Sequence, residues 1–283
     1  MNNTGTNSKT LPITVITPRI RPLELPNLFR FRYLIYLFVR RDFVVYYQQT
    51  ILGPLWYLLQ PLASTTVLAF IFGRIARLST DEIHPFLFYF SGTIAWGYFA
   101  SCFTQTSQTL IRNAREFGNA PFPRLTVPIA TVISALIQFF LQCALFFLLY
   151  FLLQKDGIVF TRNLFLLPLI ILQLALLGAG GGMAVSAATS KYRDLSHLLG
   201  FFVQIWYFCT PIVYPLSMVP QQHRFWFIIN PLSPVIESFR HVFFSTASMT
   251  IEHILLSWGM TIVIFICGLI IFNTFEKSYI DTI

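Results

Sequence analysis

Aromatic side chains are the groups in this chain whose type and spacing point to chemistry. Phe88, Trp96, Phe99 and Phe103 recur at spacings of eight, three and four, which places them on one side of a helix. Phe139, Phe146 and Tyr150 do the same further along, and Phe201, Phe202, Trp206, Tyr207 and Phe208 crowd a third stretch. Phe alone accounts for 31 of the 283 residues, and Phe, Trp and Tyr together for 17%. An aromatic ring offers a flat, polarised face. Such a face suits the C–H faces of sugar rings and does not fix one orientation, which a sliding polymer requires. Aromatics also fill cores and form interfacial belts, and for any single ring that use is the commoner one. A subset of these rings is expected to line a sugar path.

Other chemistry is missing. No G-x-x-x-x-G-K-[ST] loop is present, so the chain is not expected to hydrolyse ATP itself. The glycine cluster Gly178–Gly182 lacks the Lys-Ser/Thr that would follow in such a loop. Neither H-E-x-x-H nor paired C-x-x-C occurs, and no metal is expected. Cys102, Cys143, Cys209 and Cys267 all fall in uncharged stretches, where they act as small apolar residues. His84, His197 and His253 lie at the ends of those stretches, as interfacial histidines do.

The elements that must position the aromatics are membrane helices. Hydrophobic residues make up 55% of the chain, charged residues 11%, and mean hydropathy is +0.67. Six stretches longer than 20 residues carry no Asp, Glu, Lys or Arg: Phe43–Gly73, Ile83–Ile111, Leu125–Gln154, Asn163–Ser190, Leu195–His223 and His253–Phe275. Crossing about 30 Å of hydrocarbon takes roughly 20 apolar residues. Ion-coupled carriers place carboxylates or cations near the midplane; their absence from all six stretches disfavours that class. The net charge of +8 reports topology rather than nucleic-acid binding. With both termini in the cytosol, 13 of the 19 Lys and Arg fall on inside segments and six, Arg240 among them, on outside segments.

Along the chain, residues 1–30 are polar and proline-punctuated and read as a cytosolic tail. Residues 31–50 read as an interfacial helix, its Arg40-Arg41-Asp42 too polar for membrane depth. Six spans follow at about 54–75, 84–110, 126–152, 163–189, 195–214 and 253–273. Pro61, an interior proline, is expected to kink the first span. Gly178–Gly182 suits close helix packing better than a hinge. Residues 215–252 are divided by Pro215, Pro220, Pro231 and Pro234 and predict one or two short re-entrant helices between spans five and six. The fold class is therefore all-α integral membrane.

The stretch from Arg41-Asp42 through Leu52-Gly53-Pro54-Leu55-Trp56 to Gln60-Pro61 resembles the opening pattern of ABC-2 type permeases that export O-antigen, capsule and teichoic acid. Phe122-Pro123-Arg124, Tyr192-Arg193-Asp194, Thr210-Pro211-Ile212 and Asn230-Pro231-Leu232 follow in that family's order, so the resemblance covers roughly residues 31–280. It implies a half-transporter: a homodimer forming the channel in a bacterial inner membrane, with ATP and Mg bound by a separate ATP-binding subunit. It implies that the 112–124 connection docks on that ATPase through Arg112, Arg115, Glu116, Phe122, Pro123 and Arg124. It further implies that residues 31–50 form a gate helix where an undecaprenyl-diphosphate-linked polysaccharide enters among the membrane lipids. Arg40 and Arg41 would meet the diphosphate there through charge-assisted hydrogen bonds, headgroup anchoring being their alternative use.

Two other readings compete. One keeps the architecture and changes the cargo to a drug, lipid or peptide. The other is a membrane glycosyltransferase, disfavoured because the inside loops offer only Glu116 and Asp194 for a metal-bound sugar donor.

Overall fold

The computed structural model describes residues 29–48, 52–113, 116–117, 122–153, 162–192, 194–245 and 250–280. The proline-punctuated tail, Arg115 and Arg193 lie outside the described residues. Within them the chain is helical, with no strand. Helix α1 (Arg32–Gln48) lies within the 31–50 stretch, before the first long helix. Among the described residues five helices are long and apolar enough to cross a membrane: α2 (Gly53–Ile75), α3 (Pro85–Ser107), α4 (Thr126–Leu153), the helix Asn163–Lys191 whose α portion is α5 (Leu167–Lys191), and α9 (Ile251–Ile280), apolar as far as Phe275.

The expected span at 195–214 is shorter. Helix α6 covers Leu195–Phe208, 14 residues, or about 21 Å at 1.5 Å per residue. That falls short of the hydrocarbon thickness. Its end is set by Thr210-Pro211: Pro211 has no N–H to continue the ladder, and Thr210 turns its hydroxyl back onto the Trp206 carbonyl at 2.8 Å. Two short helices follow, α7 (Gln221–Ile229) and α8 (Leu232–Phe244), after a 3-10 turn at Leu216–Met218. They divide at Asn230-Pro231, inside the apolar run Phe225–Ile236. Pro61 is buried within α2, whose departure from α geometry comes later, as a π-helical segment at Ala69–Ile75.

Helix α5 packs mainly on α9 and α3, and its glycines are the reason it can. A Cβ on Gly178 would lie 2.7 Å from Cys102 Cβ, and one on Gly182 would lie 2.7 Å from the Phe103 carbonyl. On the opposite face a Cβ on Gly180 would lie 2.5 Å from Phe265 Cα, and Gly268 of α9 meets Gly180 backbone to backbone. The cluster is a close-packing device, in line with small-residue helix contacts in membranes. Gln173 adds a polar tie, donating to Ser257 at 2.8 Å, while Ser257 donates to the Pro231 carbonyl at 2.7 Å.

The exterior is apolar where these helices face outward. Phe165, Leu152, Leu255 and Val263 are all well exposed, as lipid-facing residues are and as residues facing water rarely are in such numbers. Helix α3 is the exception, with 72% of its apolar window buried inside the chain.

Candidate functional site: an aromatic and amide-lined cavity

Helices α2, α3, α4 and α6 enclose an open cavity of about 1060 Å³. Of the expected aromatics, Trp96, Phe139, Tyr207 and Phe208 line it, joined by Tyr57 and Tyr98. The rest of its wall mixes polar side chains, Gln60, Gln105, Gln138, Gln142 and Gln204 with Ser64, Thr93 and Ser101, with apolar ones such as Val67, Leu68 and Val203. Among the described residues none that lines it carries a formal charge. Sequence reasoning passed over the glutamines. Their signal was available, because each interrupts an otherwise apolar stretch and Gln138 and Gln142 stand one helical turn apart.

The other expected aromatics lie behind this wall. Phe99 and Phe103 are buried, and both pack on Trp206, with ring centroids 5.2 and 6.0 Å away. Trp206 also meets Trp96 edge to face at 6.4 Å, and Phe202 covers Trp206 from the exposed side at 5.4 Å. Trp206 faces a second cavity of about 520 Å³, with Trp226 and Tyr214. Phe146 and Tyr150 are buried against α8, Phe146 lying 5.0 Å from the Phe243 ring and Tyr150 5.8 Å from Phe244. Phe88 lies under a guanidinium. The helical spacing of the sequence is real, but it mixes rings that face the cavity with rings that hold its walls together.

The guanidinium over Phe88 belongs to Arg240, which sequence reasoning had placed on an outer loop. Arg240 is 1% exposed. It donates to the Pro211 and Ile212 carbonyls, both at 2.7 Å, and to Glu237 Oε1 at 3.1 Å; its Cζ sits 3.8 Å from the Phe88 ring centroid. The irregular turn that follows α6 explains this. Its backbone leaves the regular ladder at Pro211 and Ile212, and a buried carbonyl left unmet is costly. Arg240 meets both carbonyls, and Glu237 supplies its countercharge. Burial pushes the Arg240 pKa down from its ordinary value, and Glu237 pulls it back up. Gly92 makes the room: a Cβ there would lie 2.7 Å from Arg240 Nη2. The motifs at 210–212 and 230–232 also converge here, as Asn230 donates to Thr210 Oγ1 at 3.0 Å and accepts from Trp206 Nε1 at 3.1 Å.

At the opposite end, a smaller cavity of about 490 Å³ shares Tyr57, Gln105 and Gln138 with the main one and is otherwise lined by α1, the segment after α3 and the first half of α4. Arg41 and Arg112 both line it. Arg41 reaches Asn113 Oδ1 at 3.2 Å, Glu116 Oε1 at 3.4 Å and Asp42 Oδ1 at 3.1 Å, and lies over the Phe38 ring. It therefore ties α1 to the 113–116 segment. Arg40 is exposed and has no partner among the described residues. Phe122 packs between Phe38 and Phe117, at 5.8 and 5.6 Å, while Arg124 is buried with its guanidinium 5.2 Å from the Phe117 ring. Pro123 is half-buried, and its carbonyl accepts from the backbone N–H of Thr126 as α4 begins. Among the described residues no three His, Cys, Asp or Glu side chains gather as a metal site.

Comparison with known proteins agrees with this architecture. The chain is 26% identical over 248 residues to an O-antigen export system permease protein of Klebsiella pneumoniae, covering 88% of this chain and 94% of that one. An O-antigen export system permease protein of Myxococcus xanthus is 22% identical over 259 residues, 91% of this chain and 98% of that one. A polysialic acid transport protein of Escherichia coli is 26% identical over 236 residues, 82% and 89% respectively. The family model for ABC-2 type transporters matches residues 33–244. A 212-residue match across most of the described helices, together with five membrane-length apolar helices, makes the conclusion plain: the chain is an integral membrane protein belonging to the ABC-2 type transporter family.

Proposed function

We propose that this protein is the channel-forming subunit of an ATP-driven exporter that moves lipid-linked polysaccharide across a bacterial inner membrane. The carrying observation is the cavity among α2, α3, α4 and α6, whose walls combine Trp96, Phe139, Tyr207 and Tyr57 with neutral amides. Aromatic faces stack on sugar rings, and amides can both donate to and accept from sugar hydroxyls. A bilayer-spanning drug or lipid would call for a drier wall. The named relatives that export O-antigen and transport polysialic acid support the same class of cargo.

In this reading the chain crosses the membrane six times, α6 and the turn at 209–214 together making the fifth crossing. Both termini are cytosolic, α7 and α8 form the re-entrant outer closure, and two copies face each other across the cavity. Residues 112–124 dock on a separate ATP-binding subunit, which binds ATP and Mg. The smaller cavity beside α1, with Arg41, Arg112 and the exposed Arg40, receives the carrier's diphosphate. Arg41 then has two roles, because its bonds to Asn113 and Glu116 join the entry helix to the docking segment.

The test is export itself. The chain is expressed with and without its ATP-binding partner in cells lacking their own glycan exporter, and surface polysaccharide is measured. Export only when both are present is the expected result. Glycan movement by the purified chain alone, without nucleotide, would overturn the reading. Trp96→Ala should lower export while the protein still assembles in the membrane.

A further inference from the structure

We propose that the main cavity is built for a glycan without charged groups along its repeat unit, and that its glutamine amides are the selecting element. The inference rests on the exporter reading above and narrows its substrate class. Three facts carry it. Among the described residues no Asp, Glu, Lys or Arg lines the 1060 Å³ cavity, although the 490 Å³ cavity that adjoins it is lined by Arg41, Asp42 and Arg112. Charge is thus segregated at the entry and excluded from the chamber.

The second fact concerns the amides. Gln142 donates to the Tyr57 carbonyl at 3.1 Å and Gln105 donates to Ser101 at 2.6 Å, so these two are engaged in holding the wall. Gln60, Gln138 and Gln204 have no hydrogen-bond partner among the described residues and line the cavity from three different helices. Third, the aromatics that interleave with them add apolar surface on which a sugar ring can slide.

A neutral sugar presents hydroxyls that both donate and accept, and an amide matches both without preferring one register. A carboxylate on every repeat unit has different needs. In a chamber without cations it would have only partial amide dipoles as compensation, and burying a charge without a countercharge is costly. A second copy facing the first would add the same neutral lining and no countercharge.

The experiment uses the chain with its ATP-binding partner in exporter-deficient cells. Two glycans are supplied on the same lipid carrier, one of neutral hexoses and one with a uronic acid in each repeat. Surface polymer is quantified for wild type, for Gln204→Lys on the exposed face of α6 and for Gln138→Lys. The expected result is neutral polymer exported at least ~10-fold better than acidic polymer, a ratio corresponding to one or two net hydrogen bonds or one uncompensated charge. That ratio should fall in either lysine variant. Equal export of both polymers by wild type would overturn the neutral-glycan inference while leaving the exporter reading intact. Export of neither, with both subunits assembled in the membrane, would overturn the exporter reading as well.

Discussion

Replacing Arg240 by Met removes the guanidinium while keeping most of the side-chain length. In the folded protein that guanidinium meets the Pro211 and Ile212 carbonyls at 2.7 Å and Glu237 at 3.1 Å, at a site 1% exposed. Each hydrogen bond to a charged group contributes about 1.5–3 kcal/mol. Breaking a buried ion pair by removing one partner costs about 3–5 kcal/mol, because the other charge stays buried. These terms overlap, so about 4 kcal/mol is the expected loss for Arg240→Met. At roughly 2–4 °C per kcal/mol this corresponds to a fall of about 10 °C in apparent Tm. The assay is thermal unfolding of the detergent-purified protein, followed by size-exclusion fluorescence. Glu237→Leu alone should cost less, since Arg240 keeps its two carbonyls, and Arg240→Met with Glu237→Leu should be less damaging than the sum. An Arg240→Met protein that unfolds within about 2 °C of wild type would refute the reasoning. It would mean that the carbonyls in the turn after α6 find other partners and that Arg240 does not hold that turn.

Gly92→Ala should destabilise through the same contact, by about 1–3 kcal/mol, because its Cβ would lie 2.7 Å from Arg240 Nη2. The same substitution made in Arg240→Met should cost little, and equal losses in both backgrounds would show that the clash lies elsewhere. Arg41→Glu should leave thermal stability within about 1 kcal/mol, as exposed ion pairs do, but lower export by separating α1 from Glu116. Adding Glu116→Arg should restore the part of that loss due to the broken pair but not the part due to the lost diphosphate contact, and no recovery in the double variant would rule out that pair as the link.

Much of the fold was legible because membrane helices announce themselves by length and lack of charge. α2, α3, α4 and α9 begin or end within a few residues of their expected positions, since charged residues and prolines bound each run. The fifth run misled for a physical reason. Hydropathy continues unbroken through Cys209 and Val213, but Pro211 ends the helix at Phe208. The burial of Arg240 was not legible because sequence reasoning could only count it among the outside charges, and its carbonyl partners are not near it in the sequence. Those partners are backbone carbonyls 28 and 29 residues away. The aromatic spacing separated helix faces correctly and could not say which face meets a cavity and which meets another helix. Trp96 and Phe88 share a face in sequence, yet Trp96 lines the cavity while Phe88 supports Arg240. The glutamines were visible and unused because an uncharged polar residue in an apolar run carries no sign of its direction.

Helix α3 connects these parts physically. It is 23 residues long, about 34 Å at 1.5 Å per residue. Near its first residues Phe88 and Gly92 receive Arg240, in its middle Trp96 and Tyr98 face the cavity, and past its last residue, after a turn at Gln108 and the short helix Thr109–Arg112, Asn113 is gripped by Arg41. An unbroken helix buried along most of its length transmits displacement at one end to the other, provided it does not bend. In the proposed exporter, a push delivered at residues 113–116 would therefore reach the closure around Arg240 through α3. Softening the rod tests this. Ala95→Gly with Ala100→Gly should cost about 2 kcal/mol in helix propensity and leave the cavity residues in place. If α3 carries the stroke, export should fall while nucleotide hydrolysis by the docked partner continues. Export and hydrolysis falling together would instead point to lost assembly, and unchanged export would remove α3 as the transmitting element.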